Sequence, residues 1–555
     1  MFTLPTALLL ASIACVTLNA AETRSWYVDC SQGNDANDGL SRSRAWKSVA
    51  AVSAHTFRPG DAVRFRRATV CTGMLSPKGS GSSEAPILLD AWGTGPLPRI
   101  QARDGEQAAL KLFDQEYWTI QHLEFSGGNP YGIYVSGSRG ILHGIHIKDL
   151  VVHDVTGQPK NKETGLLVIA AGTEQQHFDD VLIDGATVYN TSQWAGILVG
   201  GVEHGFPPEA SRNTNVIIRN SIAHDVTGDG IVLFQVNNGT IENSVAWRTG
   251  MQDTETIGTP NAIWTWMCRN CTVRNSEAFL TDSPGVDGGA FDIDYGNDNN
   301  LVEGNYAHDT QGYCVAVFGA GWVTTESIVR GNTCVHNGLS PRLARRQGAI
   351  FLSTWDRGKI RGLEISGNRI FWDPPLATAA IVNGADFIGN GAFEKNRIES
   401  CSPEISRGNS RLVFKDNLVL PCSQELSAEP KAQGWCLRVF VSLDEQDHAS
   451  RGQVTLIESI HRQFSGLRVE IVASRKAGVQ IAPEDVRYNW NTEGIPVVFD
   501  APENIIPSRF PSLILTNSSG NTVWRHDGFT VPGDIGLALR SLIGKPEYAR
   551  MRSDQ

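Results

Sequence analysis

The chain has 555 residues, of which 41% are hydrophobic, and it carries a formal net charge of −11. This length exceeds one ordinary compact domain unless that domain grows by repetition, and the hydrophobic fraction suffices for a buried core. The negative charge argues against nucleic acid and anionic membrane surfaces as partners.

The N-terminal run 6–20, TALLLASIACVTLNA, is apolar but shorter than a membrane span, and it ends in small residues. These features predict a cleaved signal peptide over residues 1–21, and therefore a secreted or periplasmic protein. No later segment is long and apolar enough to predict a membrane span.

Nine cysteines follow the predicted cleavage site. Export makes disulfides possible, and we expect the pairs Cys30–Cys71 and Cys401–Cys422, with at least one thiol left free by the odd number. The motif Cys268-Arg-Asn-Cys271 has no second CxxC or His pair at a suitable spacing, so it predicts a structural role rather than a zinc site.

Short apolar segments recur in the middle of the chain roughly every 24 to 35 residues, which is within the range of solenoid repeats. Eight of them occupy equivalent places: YGIYVSGS (131–138), TGLLVIAAG (164–172), AGILVGG (195–201), DGIVLFQV (229–236), NAIWTWMC (261–268), GAFDIDYG (289–296), YCVAVFGA (313–320) and GAIFLSTW (348–355).

A second kind of short strand, ending in Asn, lies between these segments and also follows the last of them. The asparagines are Asn220, Asn243, Asn275, Asn305, Asn332, Asn368 and Asn396. We expect them to stack into a hydrogen-bonded ladder along successive coils. Strands and turns without helical periodicity, with 56 glycines for the corners, predict a parallel β-helix.

The period-two alternation assigns the two faces of the recurring strand. Residues predicted to point inward are Ile231, Ile263, Phe291, Val315 and Ile350, and also Leu233, Thr265, Ile293, Val317 and Leu352. One predicted outward column is Tyr134, Leu167, Leu198, Val232, Trp264, Asp292, Ala316 and Phe351. The next is Ser136, Ile169, Gly200, Phe234, Trp266, Asp294, Phe318 and Ser353.

Asp292 and Asp294 therefore stand together on an outward face, although Asp is a poor strand former. Trp264 and Trp266 lie one coil before them and Phe318 one coil after. Aromatic faces beside paired acids predict a sugar-binding groove, with the three rings as platforms for the substrate. The alternatives are aromatic rings covered by a neighbouring loop and aspartates that hold a structural calcium ion.

Several segments resemble secreted right-handed parallel β-helix proteins of the pectate-lyase-like superfamily. They are 26–67, beginning WYVDCSQGND, 76–100, beginning SPKGSG, and 261–312, which contains DGGAFDIDYGND. The resemblance spans about residues 25–425 and implies a right-handed β-helix domain at 22–427. The superfamily includes hydrolases, lyases, epimerases and binding proteins, so it implies the groove without a particular mechanism.

Hydrolysis of a polysaccharide or oligosaccharide is the first prediction for this groove. It needs an acid and a base or nucleophile on either side of the glycosidic bond, and no cofactor. Asp292 and Asp294 are the predicted central acids. Asp287, on the turn entering the same strand, and Asp229, at the equivalent turn two coils earlier, are predicted helpers.

Two alternatives stay open. A calcium-assisted lyase on uronate-containing glycans would hold the ion with Asp292, Asp294 and Asp287, and would clamp the acidic sugar with Arg342, Arg345 and Arg346. A non-catalytic carbohydrate-binding β-helix, such as an adhesin, would use the same acids for a structural ion.

His-Asp pairs occur before a turn at His153-Asp154, His224-Asp225 and His308-Asp309. Their recurrence favours a turn-stabilising Asp. His308 is closest in sequence to the acidic pair and is a reserve candidate for a general base.

After residue 427 the pattern changes to strands at 437–443, 467–474, 495–500 and 510–529, with helical segments at 453–464 and 535–544. This order resembles a thioredoxin-like α/β domain at 428–555, with Pro511 at the place of its cis-proline. Active members carry CxxC after the first strand, where this chain has DEQDHASRGQ, so the resemblance implies a redox-inactive domain. Its protein partner is not predicted.

Overall fold

The computed structural model describes residues 24–201, 212–251, 257–344, 346–374, 378–422, 426, 428–444, 447–474, 483–492, 494–499 and 509–548. The predicted signal peptide 1–21, Arg345 and residue 427 at the predicted domain boundary lie outside these residues. No helix within the described ranges is long and apolar enough to cross a membrane.

Eleven strands, one from each successive coil, form a parallel sheet that we call the site sheet. They are Leu110–Phe113, Tyr131–Ser136, Gly165–Ala170, Ala195–Gly200, Ile231–Phe234, Ile263–Trp266, Phe291–Ile293, Val315–Ala320, Ile350–Trp355, Ile381–Gly384 and Ser406–Gly408. Each strand pairs in parallel with its counterpart one coil away, as a parallel β-helix requires.

The other walls form a parallel sheet of 25 strands. At its N-terminal end are Ser25–Val28, Ala62–Arg66, Val70–Thr72, Ile87–Trp92, Arg99–Gln101, Trp118–Gln121 and Glu124–Ser126, followed by the long strands Gly140–Val155 and Gln176–Thr191. The sheet then runs as two rows. The first row is Asn213–Arg219, Val236–Glu242, Thr272–Arg274, Leu301–Glu303, Ile328–Arg330, Glu364–Ser366, Gly391–Glu394 and Leu412–Lys415. The second, which we call the interface row, is Ile222–Val226, Val245–Thr249, Glu277–Phe279, Tyr306–His308, Thr333–Val335, Arg369–Trp372, Arg397–Ser400 and Leu418–Pro421.

Three short strands form a further small sheet at Val323–Thr325, Lys359–Arg361 and Phe387–Ile388. The α-helices of the β-helix region are Val49–Ala54 and Pro341–Ala344, with a 3₁₀ turn at Arg42–Arg44. The core lies between the walls, and the residues predicted to point inward are buried there, from Ile231 to Ile350 and from Leu233 to Leu352. That part of the prediction is confirmed.

The register of one strand differs from the prediction. Tyr134 and Leu198 pair with Val168, not with Leu167, and Leu167 and Ile169 lie in the core. The outward columns therefore contain Val168 and Ala170 at this coil. The segment GLLVIA has no polar residue to mark its outer face, and a shift of one residue exchanges the two faces of a strand.

The predicted asparagine ladder is present from Asn305 to Asn396, and it continues to Asn417. The backbone N–H and side-chain amide of Asn305 donate to Oδ1 of Asn332 at 3.0 Å, and the same pattern continues through Asn368 and Asn396. Buried amides with satisfied donors and acceptors stabilise a stack of coils.

The first three predicted ladder residues are placed differently. The ladder positions in those coils are occupied by Ser221, Ser244 and Ser276, whose hydroxyls or N–H groups continue the chain of hydrogen bonds. Asn220, Asn243 and Asn275 precede them with φ of 50–52°, where later coils have Gly304 and Gly331. Asn tolerates this left-handed conformation better than most residues. The turn and the ladder position therefore read Asn-Ser in the early coils and Gly-Asn in later ones.

A five-stranded mixed sheet forms the C-terminal unit. Its strands lie in the order Val497–Phe499, Arg468–Ser474, Cys436–Ser442, Ser512–Thr516 and Thr522–Asp527, the first three parallel and the last two antiparallel to their neighbours. The helices are His448–Gln463, Pro483–Asn489 and Pro532–Ile543. The predicted order of elements is therefore present, and the peptide bond before Pro511 is cis.

A continuous stack of aromatic rings, one ring per coil, follows the outer face of the two long strands and of the interface row after them. The rings are His153, Tyr189, His224, Trp247, Phe279 and His308, with centroids 4.4–5.6 Å apart. The C-terminal unit covers the later members, since Leu456 packs with Trp247 and Phe279 in one apolar cluster. The four later rings, from His224 to His308, are buried, whereas Tyr189 is partly exposed.

Both predicted disulfides, Cys30–Cys71 and Cys401–Cys422, are confirmed, and a third joins Cys314 to Cys334. Cys268, Cys271 and Cys436 are free and buried. The thiols of Cys268 and Cys271 donate to the carbonyls of Leu233 and Val236 at 3.3 and 3.4 Å. This motif therefore has the structural role that its spacing predicts.

Candidate active site

Acidic side chains converge on the outer face of the site sheet. Asp292 lies at the centre of the strand Phe291–Ile293 and pairs with Trp264 on one side and Ala316 on the other. Asp294 follows this strand, Asp287 lies on the turn that enters it, and Asp229 lies on the turn entering Ile231–Phe234. The structure thus brings together all four predicted aspartates.

Asp229 is fully buried, and both of its carboxylate oxygens accept hydrogen bonds. It accepts hydrogen bonds from Nε1 of Trp194 and, at 2.9 Å, from the backbone N–H of Asn261. Nζ of Lys162 lies 4.0 Å from Oδ2 of Asp229. Burial raises the pKa of Asp229, and the lysine opposes that shift.

Asp292 is 2% exposed, so it forms the floor of the cluster. Its Oδ2 accepts from the side-chain amide of Asn261 at 3.3 Å, while its Oδ1 has no hydrogen-bond partner among the described residues. Burial, followed by the nearby Asp294 and Asp287, raises the pKa of Asp292 well above its usual range. A buried carboxyl with an unpartnered oxygen favours the protonated form.

Asn261 orients this floor from the turn before the strand Ile263–Trp266. While its amide N–H donates to Asp292, its Oδ1 accepts from the hydroxyl of Tyr313 at 2.8 Å and from the N–H of Gly289 at 3.1 Å. These bonds fix which end of the Asn261 amide faces Asp292.

Asp294 is only partly buried and accepts from the N–H of Tyr295 at 2.8 Å. Burial raises the pKa of Asp294 to about 7, with the charges of Asp287 and Asp229 adding to the shift, whereas the Tyr295 N–H and Lys162 lower it. A carboxyl that titrates near neutral pH and remains accessible is suited to proton transfer.

Asp287 is also partly exposed, on a turn held in place by its neighbours. Its carboxylate accepts from the hydroxyl of Thr259, and its backbone carbonyl accepts from Nε2 of Gln347 at 3.1 Å. The guanidinium of Arg342 donates to the carbonyls of Ser283 and Gly285 on the same turn.

Arg342 therefore braces the turn that carries Asp287, although the sequence predicted a clamp on acidic sugars. A guanidinium engaged by two backbone carbonyls has fewer donors left for a substrate. Arg346 is exposed and Arg345 lies outside the described residues.

The predicted aromatic platforms are buried. Trp264, Trp266 and Phe318 are 3%, 9% and 4% exposed, in apolar clusters built from neighbouring coils. They support the floor of the site and do not present open ring faces. Accessible rings beside them include Trp355, 44% exposed, and the partly exposed Tyr295, with centroids 6.0 Å apart.

Lys162 was not predicted. It comes from the turn before the strand Gly165–Ala170, and its ammonium lies over the rings of Trp264 and Trp194 at 4.9 and 5.2 Å. Nothing in the local sequence indicates that this lysine reaches aspartates more than 60 residues away. Trp355, by contrast, is the next outward position after Ser353 and could have been found from the alternation.

His308 does not belong to this cluster. It lies on the interface row, fully buried, between Asp309 at 2.8 Å and Glu277 at 2.9 Å. The prediction of a general base at His308 is therefore wrong, because the coil turns away from the site sheet before reaching it. Asp154, Asp225 and Asp309 all have φ of 49–60°, in agreement with the turn-stabilising interpretation of the His-Asp motif.

The calcium alternative requires several acidic ligands arranged around one point. Within the described parts of the chain, no group of three or more His, Cys, Asp or Glu side chains is arranged to hold a metal ion. Asp292, Asp294 and Asp287, all described, thus do not form such a group, and no step is assigned to a calcium ion at these residues.

Comparison with known proteins agrees with the fold. Residues 104–370 match the family model described as a right handed beta helix region. The chain is also similar to the solved structure of a GH136 lacto-N-biosidase from Eubacterium ramulus, with 20% identity, a TM-score of 0.50, and coverage of 72% of this chain and 68% of that one.

A curated lacto-N-biosidase from Bifidobacterium longum subsp. longum is 25% identical over an alignment of length 410, and the match covers 55% of this chain. The match spans 26% of that relative, so the chain corresponds to about a quarter of its length. The parallel strand pairings show a parallel β-helix fold, and the match to the right-handed β-helix model over residues 104–370 supports it.

Proposed function

We propose that this protein is a carbohydrate-active enzyme that hydrolyses a glycosidic bond in an oligosaccharide or polysaccharide. The observation that carries the proposal is the cluster of four aspartates and one lysine on the outer face of the site sheet, two of the acids accessible and two buried. Such an arrangement separates the pKa values of neighbouring carboxyl groups, which gives one acid and one base.

The exposure of each aspartate determines its proposed role in the reaction. Asp294 is the proposed general acid, because it is partly exposed and its pKa of about 7 keeps a large fraction protonated at neutral pH. Asp287, on the braced turn, is the proposed base or nucleophile. Asp292 and Asp229 are too deeply buried to contact a sugar. The charge of Asp229 is proposed to help hold the pKa of Asp294 high.

Trp355 and Tyr295 are the proposed sugar platforms, in place of the buried tryptophans. Their open faces lie next to Trp266 and Phe318, with ring centroids within 6.0 Å of these neighbours. Aromatic faces suit the apolar side of a pyranose ring.

The two relatives named as lacto-N-biosidases support hydrolysis over elimination and make a lacto-N-bioside the first candidate substrate. Secretion is proposed on the N-terminal sequence and is supported by three disulfides, which persist in oxidising compartments.

We also propose that residues 428–555 form a thioredoxin-like scaffold without redox chemistry. The strand order supports this assignment, and the free Cys436 is buried. Its proposed role is to support one side of the β-helix by covering the aromatic stack.

The test is cleavage of a panel containing a lacto-N-bioside, neutral polysaccharides and uronate-rich polysaccharides, with and without a chelator. New reducing ends without ultraviolet absorbance support hydrolysis. Absorbance that disappears on chelation would instead support the lyase, and binding without turnover across the panel would support a non-catalytic carbohydrate-binding protein.

Asp287→Asn and Asp294→Asn should each lower the cleavage rate by about 10²-fold or more while the fold is retained. Asp282→Asn is the matched control, since Asp282 is exposed on the same turn and its oxygen accepts from the Ser283 N–H, which an amide oxygen can also do. Equal losses in all three variants would contradict the proposed site.

A further inference from the structure

An apolar shelf adjoins the aspartate cluster, on the turn between the site sheet and the small three-stranded sheet. It consists of Trp322 and Val323, which are 43% and 38% exposed. Both follow the site-sheet strand Val315–Ala320, and Val323 begins the strand Val323–Thr325. Apolar side chains exposed together beside a polar site are typical of a ligand contact. We call these two residues the Trp322 shelf.

The Trp322 shelf lies between the two accessible rings of the site. An isolated bridge three residues further along pairs the coil of Tyr295 with that of Trp322, so these two residues occupy equivalent positions. On the other side, the N–H of Gly321 donates to the carbonyl of Trp355 at 3.1 Å. Neighbouring coils are about 4.8 Å apart, so the shelf is continuous with both rings.

The order of the acids along the chain gives the substrate a direction. Asp287 lies on the turn that enters the strand Phe291–Ile293, whereas Asp294 directly follows that strand and Tyr295 comes next. A general acid protonates the glycosidic oxygen, and this oxygen departs with the leaving group. The leaving group therefore lies on the Tyr295 side, which continues to the Trp322 shelf.

The polar side chains that follow the shelf are already hydrogen-bonded. The hydroxyl of Thr324 is buried and donates to the carbonyl of Phe318 at 2.6 Å, and the hydroxyl of Thr325 donates to Asp298. Hydroxyl groups of a further sugar ring would leave water without gaining these partners, which is costly. A hydrocarbon group has no such cost and gains from the burial of its surface.

We propose that the Trp322 shelf binds an apolar aglycone, an alkyl or aryl group on the leaving-group side of the scissile bond. This role rests on the proposed hydrolysis and names the class of its substrate. Asp294 gives its proton to the glycosidic oxygen as the bond to the anomeric carbon breaks, and the aglycone leaves as an alcohol. Water supplies the new hydroxyl of the released sugar, and its second proton returns to the carboxylates.

The test compares kcat/KM for three β-lacto-N-biosides with methyl, octyl and carboxyheptyl aglycones. All three leave as primary or methyl alcohols, so differences report contacts with the aglycone. We expect kcat/KM to be about tenfold higher for octyl than for methyl, the scale expected when about two methylene groups leave water. Equal values would overturn the proposal. Lys359 pairs with Val323 in the strand register and is exposed, so a preference for the carboxylate would assign recognition to this cation and also overturn it.

Val323→Ser and Trp322→Ala should each reduce the octyl-to-methyl ratio to about threefold or less. Val413→Ser is the matched control, because Val413 is 48% exposed on the strand Leu412–Lys415 of another wall, and the ratio should stay near tenfold. Equal reductions in Val323→Ser and Val413→Ser would contradict the shelf. A lactose leaving group tests the other occupant, and its preference over octyl, lost in Val323→Ser, would assign the shelf to a sugar.

A binding measurement separates this proposal from the proposed hydrolysis. In calorimetric titrations of the full chain carrying Asp294→Asn, the octyl glycoside should bind about tenfold more tightly than the methyl glycoside. Octyl-dependent binding without turnover of any glycoside by the wild type would contradict the hydrolysis and support the shelf. Turnover by the wild type with equal binding of both glycosides would contradict the shelf alone, and the absence of both would contradict both.

Discussion

The aspartate cluster and the domain interface both bury carboxylates on the outside of the β-helix, but with opposite chemistry. At the interface, the fully buried Arg540 donates to Asp309 and, at 3.0 Å, to the hydroxyl of Tyr306, while the hydroxyl of Tyr548 also donates to Asp309. Burial alone would raise the pKa of Asp309, but Arg540 and His308 hold it below its usual range.

In the aspartate cluster, several acids share one lysine, and Oδ1 of Asp292 has no partner among the described residues. The pKa of Asp294 rises to about 7 there, in contrast to Asp309. Paired buried charges are typical of a structural contact, and crowded like charges are typical of a reactive site. The opposite pKa shifts of Asp294 and Asp309 therefore support the proposal that the aspartate cluster is reactive and the interface structural.

The largest expected effect is on turnover. Asp294→Asn should lower kcat by about 10²–10⁴-fold, because it removes the proposed general acid. The same variant should unfold at a higher temperature than the wild type at pH 8, where the wild type must carry a poorly solvated charge. Substrate kinetics and thermal unfolding at pH 8 check both parts, and a variant that is both active and less stable would assign Asp294 to structure.

The next effect concerns stability at the interface. Asp309→Asn should lower the free energy of unfolding by about 3–5 kcal/mol, because it leaves Arg540 buried without its charged partner. Since the pKa of Asp309 is lowered by folding, its contribution is present at neutral pH and is lost as pH falls below about 4.

Urea unfolding of Asp309→Asn, Arg540→Met and the double variant measures this coupling. The double variant should lose less than the sum of the two single variants. Simple additivity would mean that the pair does not hold the two units together.

A third effect is a shift in pH dependence. Activity should fall as pH rises through about 7, because the proposed acid loses its proton. Lys162 lowers the pKa of Asp294, so Lys162→Met should move this decline to higher pH. Lys160→Met, at an exposed position on the same turn, is the control and should leave the profile unchanged. A shift to lower pH in Lys162→Met would contradict the assignment.

The smallest expected effect concerns substrate binding. Trp355→Ala should raise KM about twofold to tenfold with little change in kcat, which corresponds to the loss of one aromatic contact. Phe414→Ala, at a similarly exposed ring on the last coil, should leave KM unchanged. Equal effects on both would remove Trp355 from the site.

The fold was predictable because the alternation of the strands repeats on coil after coil. The prediction was wrong where the alternation is absent, as at Leu167 and Ile169. It was also wrong where either of two adjacent polar residues could occupy the ladder position, as in the Asn275-Ser276 pair. In both cases the predicted strand is present, but the positions assigned within it are displaced by one residue.

The aspartates were predictable because acids on a strand are unusual, but their roles were not. Which of them is accessible depends on how the neighbouring coils pack over Asp292, and the sequence does not encode that locally. Lys162 reaches the cluster from a distant turn, and His308 faces the other side of the molecule although it lies only 14 residues after Asp294. Distance along a solenoid chain is therefore a poor guide to proximity within one coil.

The contacts between the C-terminal unit and the interface row also fix the number of coils beneath that unit. Leu456 contacts Trp247, while Arg540 meets Asp309 two coils further along. One inserted or deleted coil between them would displace the second contact by about 4.8 Å, more than a hydrogen bond can absorb. In simple solenoids repeats are gained and lost freely. In this protein the C-terminal unit acts as a template of fixed length, so the β-helix should tolerate longer turns between its strands but not an extra coil beneath that unit.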